Sequence, residues 1–144
     1  MYVAAQGVPQ DYEAAAKWCA AAASQNEASA QRILGHLYHD GVGVEQNLKL
    51  SAKFYKAAAE QGDTSARYFL GVSYRNGEGV QKNYKEAYFW FSLAAFGASP
   101  NELELRDKAL GAINEIASLV IPAEREEVIE QLKKNGVDIR PFNT

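Results

Sequence analysis

The sequence predicts an all-α solenoid, a line of stacked helix pairs closed at its C-terminal end by a capping helix pair. Three observations predict it. One stretch of the chain recurs at a fixed offset without a gap, and each copy spaces its apolar residues as a helix does. The last third loses the repeat but keeps two amphipathic helical stretches.

Writing residues 30–63 above residues 66–99 gives an offset of 36. Ala30, Leu34, Gly35, Tyr38, Gly41, Gly43, Val44, Asn47, Ala58 and Ala59 recur as Ala66, Leu70, Gly71, Tyr74, Gly77, Gly79, Val80, Asn83, Ala94 and Ala95. One further step back places Gly7, Val8, Gln10, Ala16, Ala22 and Ala23 under Gly43, Val44, Gln46, Ala52, Ala58 and Ala59. The expected organisation is therefore a partial first repeat over 1–28, consisting of its second helix, then full repeats over 29–63 and 64–100, and a cap with a tail over 101–144.

Each full copy reads as two helices. The first runs from about Ser29 to Asp40, with Ala30, Leu34, Leu37 and Tyr38 on one face, and its equivalent runs from about Ser65 to Asn76. Gly41 and Gly77 stand where a helix ends in the left-handed conformation, which glycine adopts without a Cβ clash. The second helix starts near Asn47 or Asn83, whose short polar side chains suit an N-cap, and stops near Gly62 or Gly97. Ala30, Gly35, Ala52, Ala58 and Ala59 remove bulk where a neighbouring helix approaches, while Tyr38 and Phe54 fill space between pairs. A lone pair cannot bury its apolar face, so pairs stack into an array. In the cap, Leu103, Leu110, Ile113, Ala117 and Val120 form a stripe over 101–118. Pro122 opens a second helix that ends before Gly136, with Val128, Ile129 and Leu132 as its apolar side. Residues 137–144 are expected to trail as a tail.

The pattern A-x-x-x-L-G-x-x-Y-x-x-G-x-G-V, followed by an aromatic and a closing A-A, resembles the Sel-one-like repeat, a relative of the tetratricopeptide repeat. The instances are Ala30-Leu34-Gly35-Tyr38-Gly41-Gly43-Val44 and Ala66-Leu70-Gly71-Tyr74-Gly77-Gly79-Val80, and the likeness covers roughly residues 1–98. The resemblance implies a right-handed superhelix of helix pairs and, across the family, an adaptor that assembles protein complexes, often in bacteria. Some members carry paired cysteines that cross-link each repeat. Here Cys19 takes the column of Tyr55 and Phe91 and is read as core filling.

Bulk properties narrow the partners. Of 144 residues, 47% are hydrophobic and 23% charged, an ordinary globular balance. Fifteen Lys and Arg against 18 Asp and Glu leave a net charge of -3, which lacks the basic stripe that nucleic acid requires. The strongest apolar run, Tyr88 to Ala98, is about half of the roughly 20 residues that cross a bilayer, so no membrane insertion is expected. The one cysteine excludes an intramolecular disulfide.

Chemical constellations fare poorly against simpler readings. His36, His39 and Asp40 could form a divalent metal site, but the next copy has Val72, Arg75 and Asn76 there, and no metal or cofactor is expected. The Gly41-x-Gly43 and Gly77-x-Gly79 loops lack the strand before and the Lys-Ser or Lys-Thr after that a phosphate cradle needs. Neither Cys19 nor any carboxylate pair completes a catalytic set. The expected function is accordingly a protein-interaction module, binding a protein or peptide on the concave surface lined by the first helices. Its candidate residues are Arg32, His36, His39, Tyr68, Arg75 and Asn76, in columns that vary between copies, with Arg and Tyr favoured as interface residues. Phe96 is a further candidate for an outward-facing contact, because Glu60 and Ser24 share its column. The alternatives are a hydrolase related to cysteine-rich repeat proteins, or a self-associating structural piece. The incomplete first repeat motivates the last, since it fits either a fragment of a longer array or a homo-oligomer joined at that end, and it is expected to expose Trp18.

Overall fold

The computed structural model describes residues 9–137, and within them the chain is seven α-helices with no strand. They are α1 (Pro9–Ser24), α2 (Ala28–Asp40), α3 (Leu48–Glu60), α4 (Thr64–Asn76), α5 (Tyr84–Phe96), α6 (Leu103–Ile116) and α7 (Pro122–Lys134). From α1 to α6 each helix packs on the next, and α7 packs back on α5, so the fold is an all-α repeat superhelix with two further helices at its C-terminal end. The sequence readings of residues 1–8 and of 138–144 lie outside the described residues.

Local chemistry sets each boundary. Asn47 Oδ1 accepts from the Leu50 amide at 3.0 Å and Asn83 Oδ1 from the Glu86 amide at 3.1 Å, capping α3 and α5 at equivalent positions. Asp63 Oδ1 caps α4 by accepting from the Ala66 amide at 2.8 Å. Gly41 and Gly77 close α2 and α4 at φ +69° and +71°. The chain then turns back identically in both copies, with the Asn47 and Asn83 amides donating to Tyr38 and Tyr74 carbonyls at 2.9 Å. Between repeats the left-handed position is filled by Asn26 and Gly62. Gly97, displaced by one residue, has φ -98° instead, and α5 ends there with its amide on the Leu93 carbonyl.

Two glycine columns fix the packing. A Cβ on Gly35 would lie 2.5 Å from the Tyr55 ring, and one on Gly71 would lie 2.6 Å from the Phe91 ring. The glycine of each Leu-Gly pair therefore exists so that the aromatic of the following helix can lie flat against the first. Phe91 is completely buried there, a contribution of about 1.5–3 kcal/mol by transfer alone. The second column joins repeats: Gly43 abuts the backbone of Tyr12 in α1, and Gly79 abuts that of Leu48 in α3, again 36 residues apart. Tyr38 stacks on Phe54 at 5.8 Å and 8° between planes, a contact within one helix pair where the sequence reading expects both to fill space between pairs.

The core is continuous from Tyr55 through α5 into the terminal pair, where Ala109, Ala112, Ile113, Ile116, Val120, Val128 and Leu132 complete it. The stripe on α6 is rotated from the expected one. Ala109, Ala112, Ile113 and Ile116 face inward, while Leu103, which opens the helix, is 51% exposed. A 3-10 turn, Ala117–Leu119, follows, and Arg125 Nη2 reaches back to the Ala117 carbonyl at 2.8 Å. Lys85 of α5 pairs with Glu127 of α7. Cys19 is half-buried on α1, with its thiol pushed up by burial. It is less buried than Tyr55 and Phe91, which share its column. Trp18 is 75% exposed, as the sequence reading expects of that end.

Candidate binding cavity between the repeats

The first helices of the two full repeats, α2 and α4, flank a cavity of about 490 Å³. His36, His39 and Asp40 reach it from α2, Tyr55 from α3, and Phe69, Val72, Ser73 and Asn76 from α4, with Glu78 from the turn after α4. Helical spacing places them there: positions 36, 39 and 40 share one face of α2, and 69, 72, 73 and 76 share one face of α4.

The floor is aromatic. Tyr55 and Phe69 stack at 5.6 Å and 20°, and the His36 ring meets Phe69 edge-on at 4.6 Å and 88°. Tyr55 Oη lies 2.7 Å from His36 Nδ1. Burial pushes the Tyr55 hydroxyl up to about 12 and, together with Arg32, pulls the His36 imidazole below its ordinary value. Both therefore stay neutral at pH 7, joined by that hydrogen bond. The pair belongs to this repeat alone, for the same columns hold Val72 and Phe91 in the next.

The rim is acidic. His39 Nδ1 lies 2.8 Å from Asp40 Oδ1, and Nε2 lies 3.4 Å from Glu78 Oε1. These hydrogen bonds, Asp40 foremost, raise the His39 pKa against the opposing effect of partial burial. His39 thus ties α2 to the turn of the following repeat. Gln46 Nε2 donates to the His39 carbonyl at 2.8 Å and holds the end of α2.

Of the six residues picked from sequence, His36, His39 and Asn76 line this cavity. Arg32 is half-buried and its Nε lies 3.2 Å from Asp63 Oδ2, bridging α2 to the start of α4. Tyr68 contacts the rings of Phe69 and Phe91, and Arg75 lies 5.8 Å from the Phe91 ring centroid while its Nε donates to Asn76 Oδ1 at 3.1 Å. Phe96 is partly buried against the core, contrary to the outward placement expected from its column. Sequence reasoning missed Tyr55, Phe69 and Glu78. Glu78 lies 39 positions after His39, one repeat plus about one helical turn, so opposite charges at that separation are a usable signal.

Among the described residues no group of three or more His, Cys, Asp or Glu side chains is arranged to hold a metal ion. No described helix is long and apolar enough to cross a membrane.

A superhelix of helix pairs with a cavity between successive first helices defines the class: an α/α repeat solenoid. The chain belongs to the Sel1 repeat family, whose model matches residues 1–27, 28–63 and 64–95. Among solved structures it is similar to a Sel1 repeat protein from Oxalobacter formigenes, at 36% identity and TM-score 0.64 over 72% of this chain and 40% of that one. It is also similar to c5321, a protective antigen of uropathogenic Escherichia coli strains with an SLR fold, at 27% identity and TM-score 0.63 over 90% of this chain and 30% of that one. A third likeness is to Helicobacter pylori cysteine rich protein B, at 28% identity and TM-score 0.57 over 62% of this chain and 68% of that one. The chain spans less than half the length of the first two. No curated protein matches it.

Proposed function

We propose that this chain is a non-catalytic protein-interaction module that holds a segment of a partner polypeptide across α2 and α4, centred on the cavity. One observation carries the reading. Columns shared by both repeats, such as Leu34/Leu70, Gly35/Gly71 and Ala58/Ala94, are buried in the scaffold, whereas His36/Val72 and Asp40/Asn76, which line the cavity, differ between copies. His36, His39 and Asn76 form the centre of the site in this reading, with Arg32, Tyr68 and Arg75 at its edges, and residues 101–144 act as the cap. Both histidine rings are engaged, His36 with Tyr55 and His39 with two carboxylates, which leaves neither poised as a base for Cys19 on α1.

The test is affinity capture from a lysate of the source organism, read by mass spectrometry, beside an Asp40→Ala, Asn76→Ala variant shown by circular dichroism to be folded. Both side chains reach the rim, so their removal spares the core. A protein retained by the wild type and lost with the variant is the expected result, and equal retention would move the site off this face.

Self-association is a second reading, favoured by the exposure of Trp18. Sedimentation velocity over a concentration series decides it, with a strict monomer removing it.

A further inference from the structure

The cavity has a composition as well as a position. We infer that it is a subsite for an arginine side chain of the bound polypeptide, whose guanidinium lies against the Tyr55 and Phe69 floor and donates to Asp40 and Glu78 in competition with His39. The inference rests on the groove reading above and goes beyond it by naming what the groove selects.

Three features converge. The volume of about 490 Å³ accommodates a long side chain with part of its main chain. The rim carries Asp40 and Glu78, two carboxylates on opposite walls that His39 bridges at 2.8 and 3.4 Å, so both lie within reach of one small cationic group. The floor is aromatic, with Tyr55 and Phe69 stacked on one another. A carboxylate rim over an aromatic floor fits guanidinium better than ammonium, because guanidinium is planar, weakly hydrated, stacks on rings and donates in two directions. An acidic segment would meet uncompensated like charge. Asn76 Oδ1 already accepts from Arg75 Nε, which leaves its NH2 to donate to a main-chain carbonyl of the guest.

His39 makes the subsite sensitive to pH. Below its raised pKa it is a cation and holds both carboxylates; above it, at least one carboxylate loses its donor and is open to the guest. The other ionisable groups facing this region are His36 and Asp40 of α2, Tyr55 of α3 and Glu78 of the following turn, with Arg32 and Asp63 paired at one edge and Arg75 of α4, bonded to Asn76, at another. Neutral His36 and Tyr55 do not oppose the effect. Affinity for arginine therefore rises with pH.

The probes are acetylated and amidated Gly-Arg-Gly, Gly-Lys-Gly, Gly-Gln-Gly and Gly-Glu-Gly, titrated into the full chain and read by amide shifts in two-dimensional NMR. With Gly-Arg-Gly the amides of 36–40 and 72–78 should move, and binding should be about three- to fivefold tighter at pH 8 than at pH 5.5, the scale of one part-exposed ion pair. Gly-Lys-Gly should bind more weakly and the other two should not move those amides. His39→Gln should keep arginine binding and lose its pH dependence. Equal shifts from Gly-Gln-Gly would overturn the arginine assignment while leaving the groove reading standing. No shift at 36–40 or 72–78 with Gly-Arg-Gly overturns the assignment too, and the Asp40→Ala, Asn76→Ala capture then decides the groove on its own.

Discussion

Changing Gly79 to Ala separates two effects that the G-x-G turn combines. Gly77 and Gly79 have nearly the same backbone, φ +71° and +77°, so a Cβ costs each about 1–2 kcal/mol of left-handed strain. Their surroundings differ. A Cβ on Gly77 would meet the Lys82 Cβ at 3.3 Å, a contact that a small shift of the turn relieves. A Cβ on Gly79 would overlap the Leu48 carbonyl and lie 2.9 Å from the Lys49 nitrogen, both in the backbone of the first turn of α3. Relief there requires the two repeats to separate, an overpacking cost of about 1–3 kcal/mol on top of the strain. Gly79→Ala should thus destabilise by about 2–5 kcal/mol and Gly77→Ala by about 1–2 kcal/mol. Urea unfolding followed at 222 nm reads this as a midpoint lowered by roughly 1–3 M for Gly79→Ala and by clearly less for Gly77→Ala. Asparagine tolerates the left-handed region, so Gly77→Asn should be mild and Gly79→Asn as damaging as Ala. Equal midpoints for Gly77→Ala and Gly79→Ala would refute the reasoning, for then the close approach between repeats would carry no energy.

Two further outcomes follow from the same structure. Gly111 is exposed within α6 and a Cβ there would meet nothing within 4 Å, so Gly111→Ala should raise the urea midpoint, by about 0.8–1 kcal/mol in free energy. The histidines should tilt the pH dependence of stability in opposite directions. His36, depressed by burial, contributes stability that is full above the unfolded value of 6.5 and is lost as pH falls, so His39→Gln should become less stable from pH 7 to 5. His39, raised by Asp40 and Glu78, contributes stability present below 6.5 and lost as pH rises through its folded pKa, so His36→Val should become less stable from pH 6 to 8. Urea midpoints across that range, compared with the His36→Val, His39→Gln double variant to subtract the carboxylates, check both slopes.

The scaffold was legible because its constraints repeat. Gly35 and Gly71, Asn47 and Asn83, and the paired alanines each answer to one local requirement met twice, and a sequence slid along itself exposes such requirements. The stripe on α6 had no second copy to discipline it, and Leu103 was placed inward on spacing alone. The cavity was half legible for a related reason. His36, His39 and Asn76 stand out as departures between aligned columns, but Tyr55 and Phe69 look like ordinary core aromatics, and Glu78 looks like turn filler. Their role comes from where one repeat sets its turn against the helix before it, a relation between repeats that column-by-column reading does not contain.

The seating of Gly43 on Tyr12 and of Gly79 on Leu48 has a consequence for how such arrays change. Both sides of that joint are main chain, so the pitch from one helix pair to the next is specified by a missing side chain meeting a carbonyl. The main-chain seat itself involves none of residues 36, 40, 72 or 76. The gauge of the track is thereby independent of its cargo, and the cavity face can be rewritten toward a different guest while the curvature that presents it is left as it was.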